Sequence, residues 1–469
     1  MGQSEKLVKN TIIYTIGNLG SRLLSFLLLP LFSYFLTTGE LGVYDLMITT
    51  ISLFVPFVSI QISDAVYRWL LDSRQKSTFI KMTVSNGLVI IACSSLLFVL
   101  LFYCLNFFFK LEYKGYFLCM LITSCFLPFV QQTTRGLGKN KLYATGGILN
   151  AFSVLVLNLI FLFYFNKKVE GLFIAVISSN VLTILFFFIR GKIYTHINLK
   201  YLSIKRMKDM LLYSWPLILN TISWWLINAS DRYIVLYFLT VQANGIYAIS
   251  SRFPSIIVLV NSIFMLAWQD HAISSENEDK GAFFSKVFHK FMVFELTLVI
   301  FLISISEPVV KLFLSDSFFE SWRYMPFLYI GAAFSAFGGY LGAGYLRLKK
   351  TKEIFTSSLI SGVVNVIISA SLIPLIGLYA PALGTFVSFL IMFLLRLKET
   401  KLNLGLNIDI RTMVLLTLTA IAVSFLILVN HTIVTSITII LSFCIFIYFN
   451  WNFLKSISQM VFRKSGLLK

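Results

Sequence analysis

The chain has 469 residues, of which 58% are hydrophobic and 13% charged, and its formal net charge is +19. Soluble globular chains are about 45–50% apolar and about 25% charged, so this composition, with a mean hydropathy of +0.85, excludes a soluble enzyme or binding module. The positive charge does not point to nucleic acid, because Lys and Arg form no contiguous patch and recur instead in small clusters at every second gap between apolar runs.

Apolar runs long enough to cross a bilayer, at about 20 residues per helix, come first at 11–36, 42–62, 83–105, 115–133, 143–165 and 171–189. The first carries a polar stripe at steps of three and four: Thr11, Thr15, Asn18, Arg22 and Ser25. Arg22 lies roughly 16 Å into that run, near the bilayer midplane. The second offers Asp45, Thr49, Ser52, Pro56 and Ser59. A basic connector over 191–210, with Lys192, Lys200, Lys205, Arg206 and Lys208, then reads either as an amphipathic segment on anionic headgroups or as a solvated linker.

Runs resume at 211–237, 245–269, 288–313, 324–345, 354–373, 378–395, 411–429 and 432–453, which makes fourteen expected spans. The seventh repeats the polar design of the first with Ser214, Thr221, Asn228 and Asp231-Arg232. The eighth offers Tyr247, Ser250, Ser251, Arg252, Pro254 and Asn261, and the ninth holds Glu295. Prolines interrupt several runs, and the tenth contains Gly331, Gly338, Gly339, Gly342 and Gly344. Such residues allow kinks and close helix approach, which suits rocking between two openings as well as ordinary tight packing.

Fourteen spans leave both termini on one side, and about 30 of the 39 Lys and Arg fall on that side against about 6 opposite. Bias of that kind in short loops predicts an N-in, C-in orientation. The chain also repeats internally. Phe35-Leu36-Thr37 followed by Gly42-Val43-Tyr44 recurs as Phe238-Leu239-Thr240 followed by Gly245-Ile246-Tyr247 at an offset of 203. The expectation is an all-α polytopic protein with a six-helix lobe over 1–190, the connector, a pseudo-symmetric six-helix lobe over 211–400, and two further helices and a basic tail over 411–469. Duplicated bundles of this kind are common in transporters, with the site at the repeat interface.

Three arginines stand inside apolar runs: Arg22, Arg232 and Arg252. A charge at the bilayer centre costs roughly 2.5–3.5 kcal/mol on insertion scales, so each is a functional candidate. Guanidinium groups pair bidentately with phosphate oxygens, which suggests a cavity that receives an anion. Each has a structural alternative. Asp45 offers Arg22 an internal salt bridge, Arg252 has the length to snorkel, and Asp231 sits beside Arg232. Asn18, Ser25, Tyr44, Thr221, Asn228, Tyr247 and Ser251 complete a polar lining, and Asp45, Asp231 and Glu295 are the candidates for binding a coupling H⁺ or Na⁺. Five cysteines show no metal-ligand spacing and read as buried small hydrophobes, and four scattered histidines form no ligand cluster. No catalytic constellation, phosphate-binding loop or cofactor motif appears, and no cleavable signal peptide is expected.

The chain resembles bacterial polysaccharide flippases, the lipid-linked oligosaccharide translocases of the multidrug/oligosaccharidyl-lipid/polysaccharide exporter superfamily. The matching pieces are Gly20-Ser21-Arg22, Gly42-Val43-Tyr44, Ala65 with Arg68, Ser214-Trp215-Pro216, Ser230-Asp231-Arg232-Tyr233 and Gly245-Ile246-Tyr247. The resemblance implies a V-shaped pair of lobes that alternate access in the cytoplasmic membrane of a bacterium. It implies an undecaprenyl-pyrophosphate oligosaccharide as substrate and a place in O-antigen, lipopolysaccharide or capsule assembly beside other membrane proteins. Related peptidoglycan-precursor flippases are similar in lining such a cavity with arginines, at positions that Arg22 and Arg252 match. Two other readings stay open: a cation or drug antiporter of the same superfamily, and a membrane polymerase or ligase acting on the same lipid-linked sugar.

Overall fold

The structure is a computed structural model that describes residues 24, 26–72, 77–106, 112–261, 264–265, 280–347, 351–429 and 431–464. It is all-α among those residues. In the first half the helices are α1 (Phe26–Phe35), α2 (Thr38–Val58), α3 (Ile62–Asp72), α4 (Ser77–Asn106), α5 (Lys114–Gly136), α6 (Asn140–Leu159) and α7 (Lys168–Arg190). After two short 3₁₀ turns come α8 (Ile204–Asn228), α9 (Asp231–Phe238) and α10 (Val241–Arg252), then α11 over 255–261. The second half has α12 (Lys280–Ser304), α13 (Ser306–Phe313), α14 (Met325–Arg347), α15 (Thr351–Ile376), α16 (Tyr379–Leu404), α17 (Ile410–Ile427) and α18 (Thr432–Lys464).

Twelve stretches among the described residues are long and apolar enough to cross a membrane, where fourteen were expected. The difference has two sources. Most of the first expected span lies outside the described residues, leaving Phe26–Phe35. The tenth falls on α14, a 23-residue helix that is not among the twelve. Several expected spans are also broken. The second ends at Val58 and turns through Ile60 and Gln61, both with positive φ (50° and 51°), into the amphipathic α3. The seventh breaks at Ala229-Ser230, and the ninth at Ile305.

The described chain separates into two compact units, Met1–Leu236 with Thr240–Gly245, and Tyr237–Leu239 with Ile246–Lys469. In the first, α5 packs on α7 and α3, and α8 packs on α2, α3 and α4. Its aromatic core joins Tyr44, Phe32 and Phe173. The repeated sequence motif has a direct role here. Thr37 caps α2 in a capping box with Glu40, and Thr240 Oγ1 accepts the Ala243 N–H at the start of α10. A Cβ on Gly42 would stand 2.0 Å from the Val241 carbonyl oxygen, and one on Gly245 would stand 1.8 Å from that of Thr38. Asn244 Nδ2 then donates to Gly42 O at 3.0 Å. Each copy of the motif therefore starts a helix and clears its backbone for the other.

In the second unit, α14, α15 and α16 form one packed set, and α12 packs on α14, α17 and α18. Its core is a ring cluster of Phe288, Phe291, Phe334, Phe337, Tyr340 and Phe393. The last helix, α18, is hydrogen-bonded to α12 through Ser304–Ser442 at 2.6 Å and Asn450–Thr297 at 2.8 Å. Of the five cysteines only Cys125 is buried in protein. Four stand exposed on or at the ends of apolar helices, where lipid rather than protein surrounds a small apolar side chain.

Candidate functional site

The first unit holds a polar seam where α2 meets α8 and α9. Arg232 Nε donates to Asp45 Oδ2 at 3.3 Å, with side-chain exposures of 12% and 11%. Its Nη1 donates to Asn228 O at 2.9 Å, one turn back across the α8–α9 break. Along the same seam Trp225 Nε1 donates to Thr49 O at 3.1 Å, and the Thr50 and Tyr233 hydroxyls lie 2.6 Å apart. Farther along, Gln61 Nε2 donates to Thr221 Oγ1 at 2.9 Å. A β-branched residue at positive φ is strained, and the strained Ile60-Gln61 turn is what carries the Gln61 amide onto α8.

Of the residues expected to form the site, the seam brings together Asp45, Arg232, Asn228 and Thr221. Asp231 is buried in the first turn of α9. Tyr44 is buried and packs on Phe32 and Phe173. In the second unit Tyr247 is fully buried, and Ser251 Oγ donates to Ala248 O of its own helix. Arg252 is the last residue of α10, ahead of the Phe253-Pro254 turn. A cation at a helix C-terminus sits at the negative end of the macrodipole, which favours its charge there. Glu295 is fully buried on α12, and Asn261 Nδ2 donates to its Oε2 at 3.4 Å. Arg22, Asn18 and Ser25 lie outside the described residues.

One buried cation was missed from the sequence. Arg396, read as the start of a basic gap, is 2% exposed on α16. Its guanidinium donates to Ser357 Oγ at 3.0 Å, Ser358 Oγ at 3.0 Å, Gly338 O at 2.8 Å and Ile354 O at 3.4 Å. Those partners sit on α14 and α15, so one side chain ties three helices. Its apolar neighbours Leu394, Leu395 and Leu397 were the available signal. Gln61, Thr50, Tyr233 and Trp225 were also missed as seam members. Each hydroxyl, amide or indole is unremarkable by itself, and only the meeting of two helices distant in sequence reveals it.

The connector is strapped to α4 by its backbone. The Asn198 N–H donates to Ser85 Oγ at 2.8 Å, the Ser203 N–H to Asn86 Oδ1 at 2.9 Å, and Asn86 Nδ2 to Tyr201 O at 3.1 Å. Leu199 and Ile204 remain exposed among its lysines. Burial, then Lys139 and Lys81, holds His196 below the usual imidazole range. Burial and Lys192 lower Lys139 in the same way. At the start of α17, the Thr412 hydroxyl and N–H hold Asp409 below the usual carboxylate range.

Chemically, the seam stores a guanidinium against a carboxylate in an apolar surround. An anion approaching Arg232 there would meet Asp45 as its rival. No group of three or more His, Cys, Asp or Glu positioned to hold a metal occurs among the described residues.

A sequence profile of the Polysaccharide biosynthesis protein family matches residues 7–269. The Lsg locus putative protein 1 of Haemophilus influenzae is 26% identical over 275 residues, covering 54% of this chain and 62% of that relative's length. The fold is similar to that of the lipid II flippase MurJ in an inward closed conformation, with a TM-score of 0.70 at 17% identity over 95% of this chain and 99% of that one. It is also similar to an inward-facing multidrug resistance MATE family transporter of the MOP superfamily, with a TM-score of 0.67 at 14% identity over 83% of this chain and 95% of that one.

Proposed function

The chain belongs to the polysaccharide biosynthesis protein family, and from that premise we propose that this multi-pass membrane protein is a flippase for a lipid-linked oligosaccharide. It moves an undecaprenyl-pyrophosphate-linked repeat unit from the inner to the outer leaflet of the bacterial cytoplasmic membrane by alternating access, in assembly of a surface polysaccharide such as O-antigen or capsule. Its two six-helix halves act as the moving bodies, with both termini inside. The observation that carries the reading is the family match over 7–269 on a chain with the fold of known membrane transporters. Intramembrane arginines add to it, because a diphosphate headgroup crossing hydrocarbon needs cationic partners.

Arg22 and Arg252 are the residues assigned to the pyrophosphate, and Arg232 takes part only by releasing Asp45. The test is reconstitution in liposomes with a fluorescent undecaprenyl-pyrophosphate oligosaccharide. The native protein is expected to make the lipid accessible in the opposite leaflet with its mass unchanged, and Arg22→Ala and Arg252→Ala to abolish transfer at normal protein level. A changed substrate mass would mean a polymerase or ligase. Full transfer with neutral residues at both positions would remove the anion site. The buried acids Asp231 and Glu295 favour a second reading, cation export, which predicts dye efflux that is lost in Glu295→Gln and indifferent to the arginine changes.

A further inference from the structure

Glu295 lies in an apolar stretch of α12, between Phe291, Met292 and Leu296, all buried. Its one hydrogen bond among the described residues comes from Asn261 Nδ2 to Oε2 at 3.4 Å, a long contact. Two oxygens of this pair of side chains, Glu295 Oε1 and Asn261 Oδ1, are buried with no hydrogen-bond partner. Orphaned buried polar atoms are rare in folded proteins and call for a physical account.

An ionised carboxylate here would place a full charge in hydrocarbon with one weak donor, at a cost of several kcal/mol. Among the described residues no cation offsets it. The titratable and charged groups on the elements packed against α12 are Tyr329, Tyr340, Tyr345 and Arg347 on α14, Glu307 and Lys311 on α13, Arg411 on α17, and Cys444, Tyr448, Lys455, Arg463 and Lys464 on α18; the described part of α11 has none. Burial and the Asn261 amide are the influences on Glu295, and no charge acts on it.

One proton resolves both orphaned atoms. A carboxylic acid and a carboxamide are complementary: the acid carbonyl accepts an amide N–H, and the acid O–H donates to the amide oxygen. The first of these bonds is present. A proton on Oε1 supplies the second, to Oδ1. A hard metal ion, in contrast, asks for roughly six oxygen ligands, and the pair's side chains offer three.

We infer that Glu295 and Asn261 form a proton-binding site inside the second unit, with Glu295 neutral while Asn261 is against it and ionising when Asn261 withdraws. On ionisation the O–H bond at Oε1 breaks, its electron pair stays on the carboxylate, and the proton passes to water. Asn261 is suited to this part because its helix, α11, is separated from α10 by the Phe253-Pro254 turn and so is free of the α10 hydrogen-bond ladder. The proton site stands without the flippase reading; only its use as the coupling ion rests on it.

Infrared spectroscopy of the reconstituted protein over a pH titration tests the site. Ordinary carboxyls, with pKa near 4, are ionised by neutral pH. The expected result is a protonated carboxyl C=O band that persists at neutral pH, disappears in Glu295→Gln and shifts in frequency in Asn261→Ala. The Asn261 variant keeps the carboxyl, so it decides the matter even if Glu295→Gln does not fold. Absence of the band in the native protein at neutral pH, or its loss on adding Na⁺ at constant pH, overturns the site. For coupling, an imposed pH gradient is expected to drive lipid transfer in the native protein and not in Glu295→Gln. A persistent band with transfer indifferent to the gradient removes the coupling role alone, and a persistent band with no transfer in any protein removes the flippase reading.

Discussion

Arg232 and Arg396 are both guanidinium groups held among membrane helices, one in each unit, the first part-buried and the second buried, and the protein accommodates them in different ways. Arg232 has a carboxylate, Asp45, at 3.3 Å. Arg396 has hydroxyls and carbonyls at 2.8–3.4 Å and no acid among its described partners. The pair is a charge balance that another anion can displace. The cage offers donor-for-acceptor satisfaction with nothing to exchange, and it makes Arg396 a tie between α14, α15 and α16. Burial alone therefore does not mark an arginine as a ligand residue.

Removing the caged cation tests that contrast most severely. Arg396→Met keeps apolar bulk and loses four charge-assisted bonds, each worth about 1.5–3 kcal/mol in general, so a net destabilisation of roughly 3–5 kcal/mol is expected. Thermal unfolding in detergent should show it as a large drop in melting temperature. Arg396→Lys should recover only part, since an ammonium cannot reproduce the fork. A native melting temperature in the Met variant would mean that the cage is incidental.

Glycine makes room on both sides of the comparison, but against different neighbours. A Cβ at Gly42 meets a backbone carbonyl at 2.0 Å, whereas one at Gly342 meets the end of the Arg396 side chain at 3.3 Å. Gly42→Ala should thus cost about 1–3 kcal/mol as an overpacked site, and Gly342→Ala clearly less. Equal costs would show that the start of α2 can shift as easily as a side chain.

The paired cation should be the milder loss, because its seam retains some solvent access. A double-mutant cycle of Asp45→Asn and Arg232→Gln is expected to give a coupling of about 1 kcal/mol. Zero coupling would indicate that the seam is held by Thr50–Tyr233 and Trp225–Thr49 instead, and that Arg232 is already available to an anion.

Much of this was legible in the chain. Long apolar runs identified most of the helices, because length and hydropathy are all a bilayer demands. The repeated Phe-Leu-Thr and Gly-x-Tyr strings stood out because the capping threonine and the glycine each do a local job. The breaks at Ile60, Ala229 and Ile305 were not legible, since apolar residues continue through or around them. Asp45 was one structural alternative as a partner for Arg22, which lies outside the described residues; the structure places Asp45 against Arg232, a residue 187 positions away. Helix pairing across that distance is fixed by packing and has no local signature. Arg396 was assigned to a basic gap because charge at the end of an apolar run reads as interface.

His196 is a third way of keeping charge out of the interior: the group is held neutral. Its Nδ1 is buried without a hydrogen-bond partner, and burial, Lys139 and Lys81 all disfavour the imidazolium. The folded pKa is therefore below the unfolded value, and the unfolded chain binds more protons in the window between them. Stability rises with pH across that window. It is fully present above the ordinary imidazole value of about 6.5 and is lost as pH falls through the lowered folded value. The effect is the smallest of the four, because the imidazole is only part-buried and solvent screens it. Melting temperatures measured from neutral to mildly acidic pH should decline in the native protein and decline less in His196→Gln. If the two curves run parallel, the strap between the connector and α4 depends on Ser85 and Asn86 alone, and protonation at His196 leaves it in place.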